Sequence, residues 1–243
     1  MPVFCLWWTH AWWLHPIFII YGLPKIHKEG YPLRPIISSS GTYNYNLAKF
    51  LDSLIKPLLV SSKYILNDTF DFINKLSKIS SCGLYMVSFD VESLFTNIPL
   101  EETIHIICEI IFEKIKLFHG FTESQFRKML KKATKESHFQ FLGLVIDQIG
   151  GMAMGNPLSP TFANFFMNWF ECKYMNEFKA LGVVTWFRYV DDTFVLIKDL
   201  KVVDKLLSLM NSKHKNMHNI SVILPVCMWD WEKQKDSFLG CPR

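Results

Sequence analysis

Apolar and polar positions follow two different periods along this chain, and the changes of period mark its elements. Apolar residues three and four apart run through NLAKFLDSLIKPLL (46–59) and again through NDTFDFINKLSKI (67–79), where Asn67 or Asp68 can cap the start. GLYMVSFDV (83–91) is instead a β-rich apolar run ending in an acid, Asp90. PLEETIHIICEIIFEKIK (99–116) predicts a long amphipathic helix, with Pro99 at its start and Glu101 and Glu102 in the first turn. TESQFRKMLKKATKES (122–137) opens with a capping-box spacing, Thr122 to Gln125, and continues as a basic helix. FQFLGLVIDQIGG predicts a hairpin around Leu142 and Gly143, and SPTFANFFMNWFECKYMNEF (159–178) a heavily aromatic helix. WFRYVDDTFVL (186–196) predicts a second hairpin with two aspartates in its turn, followed by an amphipathic helix over 199–214. Upstream, YGLPKIHKEGYPLRPIISSSGTYN reads as an extended loop with short strands. The order of elements predicts an α+β fold, an antiparallel sheet backed by helices on one face.

Composition narrows the picture. A chain of 243 residues, half hydrophobic and 15% aromatic, is a folded chain with a sizeable core rather than a disordered one. A net charge of +4 permits contact with an acidic polymer but does not establish it. Six cysteines without a C-x-x-C pair give neither a zinc pattern nor a small disulfide framework, which favours a reducing, intracellular setting. The first 22 residues are apolar, hold four tryptophans and carry no charge before Lys25. They lack the basic start of a signal peptide and contain His10, His15 and Pro16, so a core or loosely packed segment is expected ahead of a membrane span.

The acids carry the candidate chemistry. Asp90 ends a predicted strand, and Asp191 and Asp192 lie in a hairpin turn about a hundred residues on. Antiparallel pairing can bring all three to one sheet edge. Gathered there they repel one another, and an all-oxygen set suits Mg²⁺. The chemistry that uses such a site is phosphoryl or nucleotidyl transfer with two metal ions. Taken singly, each acid reads first as ordinary turn or strand-end chemistry.

YVDD between apolar strands, with FDVESLFTNIP before it, resembles the palm motifs of reverse transcriptases. QIGGMAMGNPLSPTFANFFM (148–167) is similar to their Gly-rich loop and helix, and YGLPKIHKEGYPLRPI (21–36) to the fingers segment of Penelope-like retroelement reverse transcriptases. The wording of the four blocks, spread in family order over residues 21–215, is nearest that family. The resemblance implies a polymerase palm with partial fingers. It implies that Asp90 and Asp191 hold two Mg²⁺ ions, with Mn²⁺ a possible substitute, that the Val91 carbonyl is a further ligand, and that Asp192 is a supporting acid. It also implies that Phe95 sits under the sugar and excludes a ribose 2′-hydroxyl, and that Arg34 and Lys25, with Lys28 beside them, balance the triphosphate. Gly151 and Gly155, with Asn156 and Pro157, then allow close backbone approach to nucleotide and template base. Met154 stands where many other reverse transcriptases carry Gln. Lys213 and Lys215 are candidate proton donors to pyrophosphate. The implied partners are an RNA template, a DNA primer and deoxynucleoside triphosphates, with no membrane and no indication of oligomeric state.

The reading divides the chain into an atypical leader (1–20), a fingers-like segment (21–80), a palm with fingers elements interleaved (81–215) and an atypical tail (216–243). Past NSKHKN the family's strand and LPFLD-like turn are not kept, and the 51 residues after Asp192 are few for a thumb, which is expected to be missing or incomplete. No GIY-YIG nuclease is recognisable. A catalytically silent retroelement remnant is therefore the alternative to an active polymerase. An integrating element implies nuclear residence.

Overall fold

The computed structural model describes residues 18–222 apart from 25, 27–28, 32, 40, 43, 80–82, 136–137, 142–143, 149 and 217–218. The chain begins with β1 (Phe18–Pro24), β2 (Leu33–Ser38), α1 (Tyr45–Ile55), α2 (Thr69–Leu76) and β3 (Tyr85–Val91). It continues with α3 (Leu94–Asn97), α4 (Leu100–Phe112), α5 (Glu123–Lys135), β4 (His138–Phe141) and β5 (Leu144–Asp147). The last elements are α6 (Ser159–Ala180), β6 (Val183–Tyr189), β7 (Asp192–Ile197), α7 (Val203–Lys213) and β8 (Asn219–Val222). The fold is α+β. Two compact units divide it: residues up to Ser61 together with Ser93–Met167, and Ser62–Glu92 together with the residues from Asn168 on. These lines fall elsewhere than the fingers and palm boundary drawn at residue 80.

In the first unit the segment expected to be mainly loop forms a hairpin, β1 against β2 from Ile19↔Ser38 to Pro24↔Leu33. β1 then pairs in parallel with β4, and β4 with β5, in the order β2-β1-β4-β5. A parallel pairing between segments so far apart leaves no local pattern in the sequence. The core below is helical. Ala48, Leu51 and Ile55 of α1 meet Ile104, Ile107, Cys108 and Ile111 of α4 and Phe126, Leu130 and Ala133 of α5, all buried. Burial in this apolar core pushes the Cys108 thiol up to about 11. α1 stops short of residue 59 because Pro57 can neither donate to the helix nor fit its interior, and the chain tightens into a 3-10 turn over Lys56–Ser61. α4 also ends early; Ile115 is exposed, so the apolar stripe has no core to meet there. The capping box at α5 forms as spelled: Thr122 N donates to Gln125 Oε1 at 3.0 Å and Gln125 N to Thr122 Oγ1 at 3.4 Å.

The second unit is built on an antiparallel sheet in the order β6-β7-β3-β8. Along β3, Val87, Phe89 and Val91 are buried, and Ser88 and Asp90 alternate with them on the opposite face. Behind the buried face lies the later part of α6: Trp186 of β6 stacks between Phe89, at 6.4 Å, and Phe178 of α6, at 5.4 Å. On the other face Phe72 of α2 meets Phe194 and Phe187 edge-on, at 5.1 and 6.3 Å, so helices touch both faces and not one alone. Asp68 caps α2, its carboxylate accepting from Asp71 N at 2.8 Å. Inside the stretch read as an atypical tail, Asn219–Val222 forms β8 against β3, from Val91↔Asn219 to Ser88↔Val222. Its β-branched Ile220 and Val222 suit a strand. The leader up to residue 17 and residues 223–243 lie outside the described residues. Among the described residues no helix is long and apolar enough to cross a membrane.

Candidate active site

The pairing of β3 with β7 sets Asp90 directly across from Asp192. Partners facing one another in an antiparallel ladder have Cα atoms about 5 Å apart and side chains on the same face. Tyr189 pairs with Asp192 to close the β6–β7 hairpin, which leaves Val190 and Asp191 as a two-residue loop. The three acids, a hundred residues apart in the chain, therefore share one end of one sheet. Val190 has φ 58°, a left-handed value at the first loop position, where tight hairpins favour glycine. For a β-branched residue such a backbone costs on the order of 1–3 kcal/mol and persists only where its surroundings impose it.

Like charges facing one another across a strand pair destabilise it. Partial burial first, and the Asp191 charge second, hold the Asp192 carboxyl above its ordinary value. Both influences oppose the charged form, which is the condition a bound cation relieves. The donor chemistry fits Mg²⁺ or Mn²⁺, which take one or two carboxylates, a carbonyl and substrate phosphate oxygens. Val91, whose side chain is 3% exposed, can offer only its carbonyl. Among the described residues, however, no group of three or more His, Cys, Asp and Glu side chains is placed to hold a metal ion. The expected gathering of three carboxylates is thus a facing pair with its neighbour in the turn.

Apart from Lys213 and Lys215, the other predicted residues belong to the first unit. Phe95 is half-buried in α3, and its carbonyl accepts from Met152 N at 2.7 Å. This contact docks the Gly-rich loop on α3. At Gly151, φ is +66° and a Cβ would stand 2.2 Å from Thr96 O and 2.5 Å from Thr96 Cα. The close approach seen at Gly151 is to α3 backbone, and this alone requires glycine there. Gly155 O accepts from Ser39 Oγ at 2.5 Å, which ties the loop to the residue after β2. Asn156 is buried and structural, its Nδ2 donating to Ala133 O at 2.8 Å and its Oδ1 accepting from Leu158 N at 2.9 Å. Arg34 lies on β2 opposite Leu23. Lys25 and Lys28 are outside the described residues. In the second unit Lys213 pairs with Glu177 at 2.6 Å and lies 5.2 Å from the Tyr174 ring centroid.

Two residues were missed. Glu171 of α6 and Arg188 of β6 form a fully buried ion pair at 2.7 Å. Each is a charge inside an aromatic run, Glu171 in NWFE and Arg188 in WFRYV, and their opposite signs are the signal the sequence offers.

An antiparallel sheet that presents facing acids from two distant strands, backed by an aromatic helix, defines the palm of a nucleotidyl-transfer polymerase. The family model for reverse transcriptase (RNA-dependent DNA polymerase) matches residues 26–223, and the chain belongs to that family. Solved structures of the same fold include apo telomerase from Candida tropicalis truncated from its C-terminal domain, at 15% identity and TM-score 0.56 over 86% of this chain and 50% of that one. Telomerase from Candida albicans in complex with a TWJ fragment of telomeric RNA matches at 10% identity and TM-score 0.63, over 88% and 43%. The BmCPV RNA-dependent RNA polymerase at elongation state matches at 10% identity and TM-score 0.58, over 85% and 20%. The chain thus spans half or less of these structures. No curated protein matches it.

Proposed function

We propose that this chain is the polymerase module of a Penelope-like retroelement and carries out RNA-directed DNA synthesis. A primer 3′-hydroxyl attacks the α-phosphate of a deoxynucleoside triphosphate, and pyrophosphate leaves. The observation that carries the reading is the facing register of Asp90 and Asp192 with Asp191 in the adjoining turn. Family membership supports it, and the lineage rests on the wording of YGLPKIHKEGYPLRPI. Divalent cations bound by these acids supply charge neutralisation and polarisation of phosphate oxygens. The chain's own part is to hold the carboxylates together, and the resemblance of YGLPKIHKEGYPLRPI implies that Arg34 and Lys25 balance the triphosphate. Residues 21–80 are assigned to fingers and 81–215 to palm, and the element's integration sets its work in the nucleus.

The test is extension of a DNA primer on an RNA template by the purified chain with deoxynucleotides and Mg²⁺, against an Asp191→Ala control. Extension by wild type alone is expected. A folded chain that binds the duplex in a salt-dependent manner yet extends no more than the control would identify a silent remnant.

Sugar choice separates this reading from RNA synthesis. A phenyl ring five residues after Asp90 leaves a ribose 2′-hydroxyl crowded and without a hydrogen-bond partner, whereas an RNA polymerase needs a polar group there. Phe95→Ala is expected to improve ribonucleotide incorporation relative to deoxynucleotide by about tenfold to a hundredfold. Competition between the two triphosphates measures it, and an unchanged preference counts against the assignment of Phe95.

A further inference from the structure

We infer that Glu171 and Arg188 are a positioning pair that holds the Val190–Asp191 loop in its working shape from behind the sheet. The inference rests on the polymerase reading for its purpose, but its geometry stands alone. Glu171 Oε1 accepts from Arg188 Nε at 2.7 Å and from Trp186 Nε1 at 2.9 Å, and Oε2 accepts from Arg188 Nη2 at 3.3 Å. The guanidinium is thereby fixed in plane, with Nη1 left to donate to Val190 O at 2.8 Å. Both side chains are 0% exposed.

The Arg188 backbone is fixed as well. Its N donates to Tyr64 O and its carbonyl accepts from Leu66 N, each at 2.8 Å. Arg188 faces Thr193 in the ladder, one step from the Tyr189↔Asp192 pair, so its side chain lies on the face opposite Asp90 and Asp192. It acts on the acids only through the loop.

Stability alone is a weak reason for this pair, since a buried ion pair is often replaced by apolar residues without loss. A loop whose first residue is a valine at φ 58° needs an external hold, and the Nη1 bond to that residue's carbonyl supplies one. Arginine is specific here. Lysine keeps the charge but has no planar fork that can serve Glu171 on one side and Val190 on the other.

The test uses the full chain and three substitutions. Arg188→Lys is expected to speed amide hydrogen exchange of residues 189–193 by about tenfold and to lower kcat on the order of a hundredfold, with the dissociation constant for primer–template unchanged. Glu171→Gln, which keeps the volume, is expected to do the same in smaller measure and covers the case in which Arg188→Lys does not fold. Adding Val190→Gly to either variant is expected to restore about a tenth or more of wild-type kcat, because glycine takes the left-handed conformation without being held. A merely structural pair predicts a lower unfolding midpoint and no such rescue.

Exchange and kcat of the variants within about twofold of wild type overturn the inference, as does failure of the glycine to rescue. If wild type itself incorporates nothing, the polymerase reading falls. The exchange rates then decide alone: faster exchange upholds the hold on the loop, and unchanged exchange removes it.

Discussion

Exchange of Asp90 for asparagine is expected to lower nucleotide incorporation on the order of a thousandfold, about 4 kcal/mol in transition-state stabilisation, and to abolish the rise in unfolding midpoint that Mg²⁺ gives wild type. The two effects have one cause. Asp90 faces Asp192 across the β3–β7 pair, with Asp191 adjoining, in a site where burial and Asp191 already disfavour the Asp192 carboxylate. A cation bound at this end of the sheet relieves that cost only while the facing carboxylates are both there to hold it. Thermal unfolding with and without Mg²⁺, together with single-turnover incorporation, reads both. A Mg²⁺ response equal to that of wild type, or incorporation near wild type, would remove the carboxylate pair from the mechanism.

The largest loss of stability is expected from Gly151→Ala. A Cβ there meets Thr96 O at 2.2 Å, the carbonyl carbon at 2.4 Å and Cα at 2.5 Å, all backbone that no side-chain rotation can clear. The residue also stands at φ +66°, where alanine is strained. Overpacking of about 1–3 kcal/mol and left-handed strain of about 1–2 kcal/mol together suggest about 3 kcal/mol, or about 6–12 °C in midpoint. Gly150→Ala is the control, because a Cβ at that position meets nothing within 4 Å. Its midpoint should stay near wild type. Equal behaviour of the two variants would mean that the loop does not dock on α3 as described.

What the sequence disclosed depended on how local the cause was. The Thr122–Gln125 capping box and the aromatic helix α6 are spelled within a few residues, and both form. The acids were legible as chemistry, because charges inside β-rich apolar runs ask for a reason, but their register was not. That pairing is set by β3 and β7 meeting across about a hundred residues. The parallel contact of β1 with β4 and the addition of β8 escaped for the same reason. At Gly151 the structure shows α3 backbone in the space a Cβ would take, and a sequence does not say what a missing side chain makes room for. Glu171 and Arg188 each interrupt an apolar pattern, and only the fold reveals that they interrupt it together.

The position of β3 between β7 and β8 also governs how the chain can be made. As the polypeptide leaves the ribosome, the segment that becomes the middle of the sheet emerges with both of its partners still unsynthesised. At about 5–20 residues per second it waits several seconds for the hairpin carrying Asp191, and longer for β8. Through that interval Asp90 and Ser88 give the nascent strand one polar side, and a charge on an open strand edge discourages pairing with another chain. The aspartate that faces Asp192 in the finished sheet thus gives the open strand a charge that disfavours pairing with another chain.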